Sequence, residues 1–184
     1  AGGATAALEH LADLGHQHVV MLGGHYDPGN PNSGNISGPI RWDAFRRAAE
    51  RRSVEARHVG TGWQIDDGHA AALTALDAPP GERPTALFAV CDRIAAGALL
   101  AAAKLGLDVP GDVSIIGFDD QEALAGHTVP ALTTVALPHA AMGEAAVRMA
   151  LDAVSGGSET PEHLVLPCPL VVRGSTAPPP MGAG

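Results

Sequence analysis

Short runs of apolar and β-branched residues alternate along this chain with longer stretches in which apolar positions recur every three or four residues. The runs HVVML (18–22), EARHV (55–59), ALFAV (86–90) and VSIIGF (113–118) carry the alternating or continuous apolar pattern of strands. Helical periodicity follows the first three, over 39–52, 66–76 and 93–105, and precedes them all over 3–14. The punctuation agrees. Gly15 and Gly106 stand where helices should stop, and Asp92 stands where an N-cap would start a helix. Strand and helix in repetition predict right-handed crossovers and a parallel sheet covered on both faces, because the strands are apolar along most of their length. The expected fold is a doubly wound α/β sheet.

Beyond residue 118 the pattern changes. TVPALTTVALP (128–138) is extended, AAMGEAAVRMALDAVSGG (140–157) is a long helix, and HLVLPCPLVVR (163–173) is two short strands interrupted by Pro167 and Pro169. Proline cannot donate to a ladder, so these last strands belong at an edge. The tail STAPPPMGAG (175–184) is expected to be disordered. The loop GGHYDPGNPNSGNISG (23–38) is long and polar, as either a functional loop or a mobile surface excursion would be.

Composition narrows the class. A chain of 184 residues, 46% hydrophobic and 17% charged, has room for one ordinary domain with a real core and not for two full ones. Net charge is -9, and the one basic cluster, Arg46, Arg47, Arg51 and Arg52, lies beside acids on a predicted helix. That is a solvated face rather than a phosphate-binding stripe, so no DNA contact is expected from it. No apolar run is long enough to span a bilayer, and the first residues carry acids where a secretory signal would carry bases. Cys91 and Cys168 are far apart and outside any CxxC spacing, which points to neither a zinc site nor a disulfide framework. A cytoplasmic protein without a cofactor is expected.

In an open parallel α/β sheet, ligands bind outside the carboxyl ends of the strands. Those ends carry Gly23 and Gly24, the segment 60–63 with Trp63, then Cys91 and Asp92, then Asp119 and Asp120. Arg41 falls in the first turn of a helix, where a cation opposes the macrodipole; it serves a ligand or a cleft carboxylate, or is simply exposed. Trp63 is either a stacking surface for a sugar or base or a packing plug. Cys91 reads as a small buried apolar residue and Asp92 as a helix cap. Successive strand residues face opposite ways, so Asp119 and Asp120 divide into one carboxylate for a ligand and one for structure, with capping open to either. Enzyme signatures are missing: there is no GxSxG, HExxH or P-loop pattern, and His16 and His18 have no carboxylate at metal-ligand spacing.

The block RPTALFAVCDRIAAGALLAAAKLGLDVPGDVSIIGFDDQEALAGHTVPALTTV (83–135) closely resembles the most characteristic segment of the LacI/GalR family of bacterial transcription regulators. The flanks ATAALEHLADLGHQHVVMLGG, RWDAF, AAMGEAAVRMALDAVSGG and HLVLPCPLVVRGST follow the family's order and approximate spacing. The resemblance implies a type I periplasmic-binding-protein-like fold in which two α/β lobes close on a small effector, expected to be a sugar. It implies a homodimer that meets operator DNA through a helix-turn-helix headpiece lying outside this sequence, and no membrane partner. By position, Arg41 matches the family's cleft arginine, Trp63 its ring-stacking aromatic, Asp119 the acceptor of ligand hydroxyls, and Cys91 a cleft position often held by Asn. Asp92 and Asp120 are left as structural caps. The implied organisation is 1–16 as part of an incomplete N-terminal lobe, 17–132 as the complete C-terminal lobe, 133–174 as pieces returning to the N-terminal lobe, and 175–184 as a tail. The rival reading is a solute-binding protein of a sugar transport system, which shares the fold; a small α/β enzyme comes third.

Overall fold

The computed structural model describes residues 1–24, 37–79, 81–155 and 163–180. Most of the long polar loop expected over 23–38 lies outside the described residues, as do the last two residues of the helix expected over 140–157 and the end of the tail, 181–184. The elements are α1 (Gly2–Asp13), β1 (His18–Leu22), α2 (Ser37–Arg52), β2 (Glu55–Val59), α3 (Ile65–Leu76), β3 (Ala86–Ala89), α4 (Asp92–Lys104), β4 (Ser114–Asp119), β5 (Thr133–Ala136), α5 (His139–Val154) and β6 (Leu170–Val171). They build one sheet in the order β2-β1-β3-β4-β5-β6. The first five strands are parallel and β6 runs antiparallel to β5. Strand order reverses between β1 and β3, so the crevice of a doubly wound fold opens above Leu22 and Ala89.

Alternation along β4 shows how the two faces are used. A Cβ at Gly117 would collide with the Asp92 carboxylate of α4 and lie 2.7 Å from Leu132 Cδ2, whereas Phe118, the next residue, reaches to within 3.0 Å of a Cβ built on Gly3 of α1. Helix α4 therefore covers one face and α1 the other. Within the core, Phe45 of α2 stacks on Phe88 of β3 at 5.1 Å, and Phe88 meets Phe118 at 6.3 Å. Helices α3 and α4 approach backbone to backbone at Gly68 and Gly97, where a Cβ on Gly97 would lie 2.5 Å from His69 N. Glycine is the side chain that allows this approach, and it fixes the start of α4 at the crevice.

The expected division of the chain needs three corrections. Helix α1 belongs to this body: Ala4, Ala7, Leu8 and Leu11 are fully buried. Strand β5 and the strand β6 that pairs with it extend the same sheet, so the two strands of the returning segment assigned to another lobe complete this one. Of the two strands expected over 163–173 only Leu170–Val171 forms, since Pro167 and Pro169 supply no N–H to a ladder. Among the described elements helix α5 stands apart, with no buried residue along its length.

The tail is the third correction, because over 175–180 it is packed rather than disordered. Ser175 is fully buried; its hydroxyl accepts from Thr133 N–H at 2.8 Å and donates to the Ile115 carbonyl at 2.6 Å, bridging β4 and β5. Ile115 N–H in turn donates to the Ser175 carbonyl at 2.8 Å. The Ala177 carbonyl accepts from His16 Nε2 at 2.9 Å, which leaves His16 Nδ1 to accept the Thr85 hydroxyl at 2.8 Å. Burial lowers the pKa of His16 and holds this ring neutral. His10 adds a contact of 3.1 Å to the Thr176 hydroxyl.

Candidate functional site

Strand geometry and helix starts bring four of the expected residues to the crevice. Arg41 projects from the first turns of α2, with its guanidinium carbon 3.8 Å above the Phe118 ring centroid, and donates a hydrogen bond to the Val90 carbonyl at the end of β3. Burial lowers its pKa, and Asp119 opposes that shift most strongly. No ion pair joins Arg41 to Asp119, and Val90 is the one hydrogen-bond acceptor Arg41 meets among the described residues. A guanidinium carries five donors. Among the described residues, several of them meet no acceptor.

Asp119 ends β4 with φ of 111°, and Asp120 follows at 54°. Both lie in the left-handed region that non-glycine residues avoid, a conformation costing about 1–3 kcal/mol per residue. The twist separates the two carboxylates. Asp119 is pushed above its ordinary pKa by burial, with Arg41 pulling the other way, and the Gln121 side-chain amide donates to it at 3.4 Å. Asp120 pairs with Arg173 at 2.7 Å, and Arg173 also donates to the Leu132 carbonyl at 2.8 Å. Asp120 is therefore structural, but as one half of an ion pair that fastens the β6 exit to the β4 turn and not as a helix cap.

Cys91 occupies the N-cap position of α4 without a side-chain capping bond. Its thiol is 3.8 Å from the Trp63 carbonyl, and burial raises its pKa, so it stays a neutral thiol on the crevice wall. Trp63 lies in the loop before α3, half-buried against the core. Asp92 departs from expectation. It is the first helical residue and not the cap, and its fully buried carboxylate leaves the helix altogether. One oxygen accepts the Thr134 hydroxyl at 2.6 Å and the other accepts Gln121 N–H at 2.7 Å. Burial raises its pKa to about 6 against those two hydrogen bonds.

Phe118, Gln121, Thr134 and Arg173 were not singled out from the sequence. Phe118 reads as core in an apolar strand, and the partners of Gln121 and Thr134 lie too far along the chain for local pattern to show them. Cys168, placed between two prolines, is partly buried against the core. The basic cluster behaves as a solvated face: Arg46 and Arg47 pair with Asp43, Arg51 with Glu9 and Arg52 with Asp13. Among the described residues no group of His, Cys, Asp and Glu is arranged to hold a metal ion, and no helix is long and apolar enough to cross a membrane.

A sheet of this order, with a cation, a carboxylate, a thiol and an indole at the reversal of strand order, has close counterparts. Residues 8–176 match the model of the periplasmic binding protein-like domain. The chain belongs to that family. Its relatives include the HTH-type transcriptional regulator reg1 of Streptomyces lividans, 42% identical over 94% of this chain and 49% of the relative. Among solved structures, a dimeric Lac repressor with a C-terminal deletion superposes with a TM-score of 0.84 at 28% identity, over 97% of this chain and 62% of that one. A LacI family regulator from Enterococcus faecium with bound ribose gives 0.81 at 27% identity, over 96% and 62%. This periplasmic binding protein-like domain thus has the form found in LacI-type regulators, and it spans about half the length of the curated relatives it matches.

Proposed function

We propose that this chain is the effector-sensing portion of a LacI-type transcriptional regulator and that its effector is a polyhydroxylated small molecule of the sugar class. The observation that carries the reading is Arg41. A guanidinium held over Phe118 at the switch point, with donors to spare and a carboxylate nearby that it does not pair with, offers a ligand both hydrogen-bond donors and an acceptor. Asp119 accepts ligand hydroxyls, Arg41 donates to ring or hydroxyl oxygens, Trp63 lies against an apolar ring face, and the Cys91 thiol contributes shape and little polarity. A neutral ligand suits a crevice in which one cation and one anion balance.

Helix α5 supports a second wall. Met142, Val147, Leu151 and Val154 are exposed by 47%, 60%, 62% and 87%, more apolar surface than a helix normally leaves in water. The half of the longer protein that this chain does not span would cover that helix and close the crevice from above. Effector binding then acts by favouring one arrangement of the two lobes, which a homodimer transmits to operator DNA through its headpiece. The relatives are transcriptional regulators, which favours this reading over a transport solute-binding protein and over an enzyme.

A thermal-shift screen of the full-length regulator against a panel of mono- and disaccharides tests the reading. At least one sugar is expected to raise the melting temperature, and Arg41→Ala and Asp119→Ala are each expected to remove that rise, because a ligand stabilises only through its preference for the folded state. Ligand-induced stabilisation that is unchanged in both variants would show that the effector sits elsewhere.

A further inference from the structure

The buried Asp92 carboxylate has no place among the ligand contacts, yet three features aim it at them. Its Oδ2 accepts the backbone N–H of Gln121, the residue that follows the left-handed pair Asp119–Asp120, and the side chain of the same Gln121 reaches back to Asp119. Its Oδ1 accepts the Thr134 hydroxyl from β5. Room for it exists only because residue 117 is glycine; any Cβ there would strike Oδ1. We propose that Asp92 is the positioning residue of the crevice, a proton-sensitive anchor that holds the Asp119–Gln121 turn in its left-handed form and slackens it on protonation.

Burial sets the sign of this anchor's response, and the nearby carboxylates add to it. Asp119 and Asp120 face it from the end of β4 and favour its protonation; Asp120 is itself paired with Arg173 from beyond β6. Arg93 on its own helix, Arg41 from α2 and His139 at the start of α5 act on Asp119. Protonated Asp92 keeps one acceptor for Gln121 N–H, but that bond changes from charge-assisted to neutral and loses about half its strength. Thr134 turns its hydroxyl around to accept the new O–H. The turn persists with a weaker hold, and Asp119 is freed from a single orientation. What Asp119 would contact rests on the effector reading; the anchor itself does not.

The test is a proton titration of this chain by NMR, with no ligand added. The Gln121 amide proton signal is expected to move upfield as pH falls, with the same midpoint as the Asp92 carboxyl carbon and not that of Asp119. Asp92→Asn is expected to abolish that inflection. Thr134→Val, which removes a donor to the ionised form and is the second route should the first variant fold poorly, is expected to raise both midpoints together. A Gln121 signal that is flat, that follows the Asp119 carboxyl, or that keeps its midpoint in either variant overturns the proposal. A sugar screen without a hit would count against the effector reading and leave this anchor standing.

Discussion

Asp92→Asn is expected to make the folded chain more stable at pH 8, by about 3 kcal/mol, and to leave it unchanged below pH 4. The folded-state pKa of Asp92 is raised to about 6 from an ordinary 3.8, so the fold favours the protonated form. The penalty for holding the charge is fully present above the folded value, shrinks as pH falls through 6, and is gone below the unfolded value. Asparagine reproduces the protonated state, since its oxygen can accept Gln121 N–H and its amide can donate to Thr134. Urea denaturation of both proteins from pH 4 to 8 reads the effect: the curves should converge at the acid end and part at the basic end. Parallel curves would mean that Asp92 carries no such penalty. A buried charge kept at a cost in stability, beside a ligand crevice, is the pattern of a residue retained for function.

Ser175→Ala carries the other large effect, in the opposite direction. The hydroxyl it removes accepts from Thr133 N–H and donates to the Ile115 carbonyl, both at the buried amino ends of neighbouring strands. A buried backbone group left without a partner costs about 1–3 kcal/mol, and two buried groups each lose a hydrogen bond here. The residues beyond lose their anchor together, because Ala177 and Thr176 are held by His16 and His10 on the same side of the sheet. The expected result is a lower denaturation midpoint together with rapid proteolysis of 176–180. An unaltered midpoint would show that the segment is not integral to the fold.

These two residues also mark where sequence reasoning ends. Strands β1, β3 and β4 were legible because a sheet covered on both faces demands continuous apolar runs, and no other element of that length does. The crevice followed from element order alone, since strand ends converge wherever helices alternate with parallel strands. That rule placed Trp63, Cys91 and Asp119 near one crevice on paper, while Arg41 stood out only as a cation in the first turn of a helix. Asp92 was misread because its position is locally that of a cap, while its partners Gln121 and Thr134 stand 29 and 42 residues away. The tail was misread for the same reason: Ser, Thr and Pro signal disorder locally, and only pairing with β4 and β5, 60 and 42 residues back, orders Ser175. Helix α1 shows a third kind of ambiguity. An amphipathic stripe declares that it will be buried, but not against which lobe.

The central claim is that Arg41 and Asp119 hold an effector between them and Trp63. The most direct measurement is a crystal structure of the full-length regulator with the stabilising sugar bound. The expected result is density in the crevice above β1 and β3, with a sugar hydroxyl within about 3 Å of an Asp119 oxygen and a sugar oxygen within about 3 Å of the Arg41 guanidinium. A sugar bound elsewhere, or one seated in the crevice without touching either side chain, would contradict it.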